Sequence, residues 1–250
     1  MITMIAHCGE AMEAPENTLE SFKRAWSNGA AQGIEGDFHL TKDNVIVCMH
    51  DENTKRITGV DRRIAAITAA EFTSLDAGSW KGEVWKNVHP PRLVDVLKTI
   101  PPAGQIFLEV KIDSTDFSKY LEADRIAAGI RNEQITIISF HENTLRAIRK
   151  QLPKLRTLLL IAPKFDQATG KVSPSAAELA AKLHDLDVTG VDCVALNEID
   201  AAYVKTVKDD GFEFHVWTVD NLEQGLRFAG YGVDSLTTNC PAALRRQWPD

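Results

Sequence analysis

Short apolar runs and helical patterns alternate along almost the whole chain, and that alternation leaves few architectures open. The runs at residues 2–6, 33–37, 45–49, 106–110, 135–139, 157–161, 191–196, 212–217 and 234–238 have the length and β-rich content of buried strands. Helical patterns lie between them at 18–28, 93–99, 117–131, 142–151, 174–186, 201–209 and 222–229, the first entered through the cap-forming Pro15-Glu-Asn-Thr. About eight main strands, each followed by a helix, predict an α/β fold of the (β/α)8 TIM-barrel type, for which 250 residues is a usual length. A doubly wound open sheet is the runner-up, but no glycine-rich phosphate loop follows the first run. Residues 1–250 therefore read as one barrel domain, and the polar, irregular stretch 51–90 as a small insertion after the second barrel strand.

The excess of acidic over basic residues gives a net charge of −7, which argues against nucleic acid as a partner. An anionic small substrate stays open, because a bound cation inverts the local field. The N-terminus enters a strand at once and shows no signal peptide, and no apolar run is long enough for an integral membrane segment. Cys8, Cys48, Cys193 and Cys240 are scattered without CxxC pairing and read as reduced thiols of a cytoplasmic protein. The oligomeric state leaves no mark in the sequence.

In a barrel the downstream ends of the strands converge on one face, so residues distant in sequence become neighbours there. Those ends include His7, Glu35, Asp37, His50, Glu109, Lys111, His141, Trp217 and Asn239. Glu35 and Asp37 are separated by one residue, so on a strand both point to the same side. Glu109 adds a further carboxylate. Massed carboxylates repel unless a cation neutralises them, and such oxygen donors suit Mg²⁺ or Ca²⁺ better than Zn²⁺. Each alone would serve equally as a loop cap or an ion-pair partner. His7 and His50 fit a general acid and base, although a single histidine would read as a hydrogen-bonded core residue. Lys111 shares the face of Glu109 and reads either as a phosphate contact or as a salt bridge to a carboxylate. Trp217 either walls a pocket against the apolar part of a ligand or packs the barrel. Cys8 reads as a small buried thiol rather than a nucleophile. Together these residues predict a metal-assisted hydrolase acting on a phosphate ester.

The segments Ala6-His7-Cys8-Gly9-Glu10, APENTLESF at 14–22, GIEGDFHLTKD at 33–43, VCMHD at 47–51, LEVK at 108–111, WTV at 217–219 and DSLTTN at 234–239 resemble, in order, the glycerophosphodiester phosphodiesterase family. The resemblance implies a barrel with a subdomain inserted after the second strand. It also implies Mg²⁺ or Ca²⁺ on Glu35, Asp37 and Glu109, with His7 and His50 as the catalytic pair. The family pattern begins His-Arg, and here Cys8 stands where the arginine would be. A thiol has neither the charge nor the forked donors with which guanidinium holds a phosphate. Losing one such charged hydrogen bond costs on the order of 1.5–3 kcal/mol. The cation, Lys111, or Arg62 or Arg63 of the insertion are the candidates to replace it. The expected reaction is hydrolysis of a small glycerophosphodiester to glycerol phosphate and an alcohol. The alternatives are a divergent barrel enzyme acting on a lysophospholipid or a phosphorus-free compound, and a non-catalytic phosphodiester-binding barrel. For a lipid, Trp80, Val84 and Trp85 either supply an apolar ramp or pack the insertion onto the barrel.

Overall fold

Eight parallel strands close into a ring in the computed structural model, which describes residues 2–28 and 30–249. They are β1 (Thr3–Ala6), β2 (Gly33–Leu40), β3 (Gln105–Val110), β4 (Ile135–Ser139), β5 (Arg156–Ile161), β6 (Gly190–Val194), β7 (Glu213–Trp217) and β8 (Ser235–Thr238). Each pairs in parallel with the next, and β1 pairs with both β2 and β8, which completes the barrel. A helix follows each strand: α1 (Leu19–Ser27), α2 (Leu93–Leu97), α3 (Phe117–Ala128), α4 (Glu142–Gln151), α5 (Ala176–Leu186), α6 (Ala201–Asp209), α7 (Leu222–Gly230) and α8 (Pro241–Gln247).

Strand parity sorts the side chains into two cores. Outward-facing Ile34, Ile106, Leu108, Ile137 and Val191 join Phe22 of α1, Leu121 of α3, Leu145 of α4 and Leu183 of α5 in the main cluster between sheet and helices. Inward-facing Ile5, Phe107, Ile138, Leu158 and Leu160 form a smaller cluster inside the barrel. The register carries the same inward row upward, with Asp37 opposite Glu109 and Leu160 opposite Asp192. Acids in this row thus stand on an apolar plug that fills the lumen beneath them.

The run at 45–49, read from sequence as a buried strand, stands outside the parallel ring. Residues Ile46–Cys48 run antiparallel to the far end of β2, pairing Phe38 with Cys48 and Leu40 with Ile46. A tight turn through Asn44, at φ +61°, joins the two arms. So short a connection permits only an antiparallel partner. His50 therefore reaches the barrel mouth on the return arm of a hairpin. A second, exposed hairpin, Lys164–Asp166 with Lys171–Ser173, lies between β5 and α5, and its polar sequence gives little strand signal.

Beyond His50 the chain forms short helices at Lys55–Thr58 and Ala69–Thr73, with 3-10 turns at Ile64–Ala66, Ser79–Lys81 and Glu83–Trp85. Their apolar residues Ile57, Ile64, Ile67, Phe72 and Ala77 cluster with Val47 and Met49 of the hairpin. This segment thus has a small core of its own, anchored on the strand that delivers His50. All four cysteines are free, and no helix among the described residues is long and apolar enough to cross a membrane.

At Gly190 the backbones of β6 and β7 leave no room for a side chain: an added Cβ would lie 2.2 Å from the carbonyl oxygen of Glu213. That oxygen belongs to the ladder and cannot swing aside. Gly190→Ala should destabilise the barrel by about 1–3 kcal/mol, the usual range for overpacking. A urea titration should show a lower midpoint at unchanged slope, and an unshifted midpoint would contradict the packing described.

Candidate active site

The backbone leaves β1 through two left-handed residues, Cys8 at φ +52° and Gly9 at φ +83°. At Gly9 an added Cβ would meet Ser21 Oγ at 2.3 Å, so glycine is required by space as well as by conformation. This turn sets His7 at the mouth, its Nδ1 2.8 Å from Asn239 Oδ1. The Asn239 amide group donates to Asp220 at 2.7 Å, so its oxygen is the atom that faces the ring. The network thereby assigns the His7 proton to Nδ1 and leaves Nε2 toward the cleft, 3.9 Å from Glu35 Oε2. His50 is oriented in the same manner by a charged group. Its Nδ1 lies 2.8 Å from Asp51 Oδ1, and Arg56 grips Asp51 through Nε at 2.7 Å. Arg56 also reaches Glu16 at 2.7 Å, tying the insertion to the loop after β1. The Arg56 hydrogen bonds, opposed by some burial, hold the Asp51 carboxyl down at about 2.

Between the two rings, oxygens of Glu35, Asp37 and Glu109 lie within 4.8 Å of one another. Glu35 and Asp37 are only 2% and 1% exposed. Asp37 is the best supported of the set. It accepts from Asn17 Nδ2 at 2.7 Å, ion-pairs with Lys111 Nζ at 3.3 Å, and takes the Cys8 thiol at 3.4 Å. Glu109 contacts the same ammonium at 2.9 Å. Glu35 Oε2 accepts from the backbone N–H of Cys8 at 2.9 Å, while its buried Oε1 has no hydrogen-bond partner among the described residues.

Two like charges ~4 Å apart repel by about 4 kcal/mol at an effective dielectric constant of ~20. With several carboxylates on one lysine, protons must supply the missing positive charge unless a cation does. Burial, reinforced by Asp37 and Glu109, pushes Glu35 well above the ordinary glutamate range. Burial and Asp37 likewise raise Glu109 to about 7 against the pull of Lys111. Burial would raise Asp37 too, but Lys111, His50 and Asn17 outweigh it and hold that carboxyl below its ordinary value. Lys111, despite burial, is held more firmly charged than a free lysine by Asp37 and Glu109.

The site residues expected from sequence thus meet at one mouth. His7, His50, Glu35, Glu109, Lys111 and Trp217 all line one cleft of ≈ 90 Å³, and Asp37 backs it through Lys111. Lys111 makes the ion pair that is one of its two readings. Trp217 lines the cleft and also packs onto the barrel. It forms a cleft wall with Phe140, ring centroids 6.0 Å apart, and packs downward with its indole N–H on the Asp192 carbonyl at 3.2 Å. His141 precedes α4 and also has Nε2 3.1 Å from the carbonyl oxygen of Lys111, which braces that segment.

Two expectations need correction. Arg62 and Arg63 line neither this cleft nor the adjoining ≈ 350 Å³ hollow; Arg63 pairs with Glu52 in solvent. The insertion arginine at the hollow is Arg56, already committed to Asp51 and Glu16. Trp80 and Val84 are exposed at 44% and 85%, but neither they nor Trp85 line the cleft or the hollow. The Cys8 thiol is buried, and burial together with Asp37 and Glu35 pushes it well above the ordinary thiol range, as suits an inert residue. Sequence reasoning missed the Arg56–Asp51 clamp, the Asn17 amide beneath Asp37, and Asp192 on the cleft wall. Asp192 did leave a signal, as a single acid at an inward position of the apolar run GVDCV.

Comparison with known proteins places these residues in a family context. The model of the glycerophosphoryl diester phosphodiesterase family matches residues 7–243. A glycerophosphodiester phosphodiesterase of Caldanaerobacter subterraneus is 30% identical, covering 96% of this chain and 95% of its own. One from Bacillus subtilis is 28% identical over 96% of this chain and 84% of its own. Among solved structures, an Oleispira antarctica phosphodiesterase in complex with the product sn-glycerol-3-phosphate superposes with a TM-score of 0.84, at 24% identity, covering 98% and 95% of the two chains.

The shared protons have a consequence for stability. Glu35 and Glu109 both titrate higher folded than unfolded, Glu109 at about 7, so the folded chain binds more protons from the ordinary value of 4.5 upward, a window that for Glu109 closes near 7. Their contribution is full at low pH and is lost as pH rises through that window. The melting temperature of the metal-free protein should carry this fall, and Glu109→Gln should flatten it. An identical pH slope in the variant would contradict the assignment.

Proposed function

The chain belongs to the glycerophosphoryl diester phosphodiesterase family, and we propose on that basis that it hydrolyses small glycerophosphodiesters to glycerol phosphate and an alcohol. The observation that carries this reading is the placing of His7 and His50 at one cleft, over a carboxylate cluster in which Glu35 Oε1 is buried without a partner.

Glu35, Asp37 and Glu109 would hold a divalent cation. An all-oxygen donor set, an orphaned buried oxygen and a surplus of negative charge fit a hard ion such as Mg²⁺ or Ca²⁺. When bound, such an ion neutralises a phosphoryl oxygen and the charge that grows on it in the transition state. The protein's own groups supply the rest. Lys111 adds a fixed positive charge beside the cluster, and with the cation takes over the neutralising part that Cys8 cannot play. The two imidazoles, each tied at Nδ1, would use Nε2 for proton transfer, one taking a proton from the attacking hydroxyl and the other giving one to the leaving alcohol. The attacker is water or a neighbouring glycerol hydroxyl. Trp217 and Phe140 shield one side from solvent. We read the whole chain as one catalytic domain with 51–90 as its insertion. Its unpaired cysteines fit the cytoplasm. The exposed Trp80 and Val84 do not reach the cleft, so a lysophospholipid is the less favoured substrate.

Phosphorus NMR of a glycerophosphodiester panel with Mg²⁺ or Ca²⁺ tests the proposal. A phosphomonoester or cyclic-phosphate resonance should appear with the wild type. His50→Ala should slow its appearance at least about a hundredfold, the lower bound for losing a general acid or base, while circular dichroism stays unchanged. An unchanged spectrum, or a fully active variant, would contradict the reading.

A further inference from the structure

We infer that Asp192 and Thr237 form a hydroxyl-binding subsite in the inner wall of the cleft, which receives an alcohol group of the substrate. This deepens the phosphodiesterase reading and rests on it. Asp192 sits mid-strand in β6, facing inward between Leu160 of β5 and His215 of β7, to which it is registered. It is 1% exposed, and its Oδ1 has no hydrogen-bond partner among the described residues. Thr237 of β8, also 1% exposed, likewise has an unpartnered Oγ1. Both line the same cleft as the histidines, next to Ile138, Leu160 and Trp217.

The neighbouring layer of the lumen shows that the barrel can satisfy such groups. His215 is also buried and inward, yet Nδ1 meets Ser235 Oγ at 2.7 Å and Nε2 meets Glu213 at 3.1 Å. An unpaired buried carboxyl lowers stability, and nothing in the fold compensates Asp192. Its missing partner is a hydrogen-bond donor that arrives from the cleft. Asp192 lies outside the set of carboxylates close enough to share an ion, which argues against a second cation. The immediate neighbours Leu160 and Trp217 are apolar, which disfavours a charged donor, and the Thr237 hydroxyl can both give to and accept from a partner. A hydroxyl meets both conditions.

The test is calorimetry with Mg²⁺ present, using sn-glycerol 3-phosphate, ethyl phosphate and ethanolamine phosphate as probes. These share a phosphate and differ in bearing hydroxyls, neither group, or an ammonium. The wild type should prefer sn-glycerol 3-phosphate to ethyl phosphate. Asp192→Leu should weaken sn-glycerol 3-phosphate roughly ten- to a hundredfold, the range for a hydrogen bond to an ionisable group, and leave ethyl phosphate within about twofold. Asp192→Asn, which keeps an acceptor, should recover most of the affinity. Both variants should melt no lower than the wild type, since each removes an unpaired buried acid. The inference is overturned by no wild-type preference, by equal weakening of both ligands, by lower melting of both variants, or by an Asp192-dependent preference for ethanolamine phosphate. Turnover of glycerophosphocholine by the wild type, measured in parallel, separates the two failures: activity without hydroxyl discrimination sinks the subsite alone, and inactivity sinks both. A rate loss in Asp192→Leu on glycerophosphocholine puts the hydroxyl on glycerol, whereas a loss confined to glycerophosphoglycerol puts it on the leaving alcohol.

Discussion

Lys111 ion-pairs with Asp37 and Glu109 and leaves Glu35 with one buried oxygen that nothing in the protein answers. That imbalance governs the arrangement of the whole barrel mouth. Three carboxylates converge because strand parity points Glu35, Asp37 and Glu109 into one lumen, and β2 and β3 are registered with Asp37 opposite Glu109. The fold then spends neutral donors on them, the Cys8 backbone N–H on Glu35 and the Asn17 amide on Asp37. Those donors orient the oxygens without cancelling the charge. A cluster so supported and still short of positive charge is suited to a divalent cation.

The apparatus around the cluster fixes ring orientation by different means on its two sides. His7 is held by a chain of hydrogen bonds from Asp220 through Asn239, all on the scaffold around β8. His50 is held by Asp51 and Arg56, with Glu16 bracing the arginine from the loop after β1. The first mount is part of the barrel, whereas the second belongs to the insertion and its hairpin. The insertion therefore has a definite structural task, since its small core supports the arm from which His50 projects.

Much of this was legible in the sequence, for reasons that also mark its limits. The barrel showed because helical and strand periods differ and kept alternating. Glu35, Asp37 and Glu109 showed because alternate residues on a strand share a side. The hairpin route to His50 did not, since an apolar run carries no sign of strand direction. Arg56 was passed over for Arg62 and Arg63 because pairing with Asp51 and Glu16 depends on how the insertion folds back, which spacing does not record. Asp192 lay in plain view as an acid in an apolar strand, but its meaning depends on the absence of a partner, which only coordinates reveal.

The most direct measurement is a titration of Mg²⁺ and Ca²⁺ into the metal-free protein, followed by calorimetry at neutral pH in two buffers of different ionisation enthalpy. Burial and neighbouring carboxylates raise Glu35 and Glu109 above the ordinary glutamate range, so a cation bound there should displace protons. Saturable binding of one ion with proton release, abolished in Glu35→Gln, is the result the charge imbalance requires. Absence of saturable binding, or binding that moves no protons and survives Glu35→Gln, would show that the carboxylate cluster is balanced by Lys111 alone.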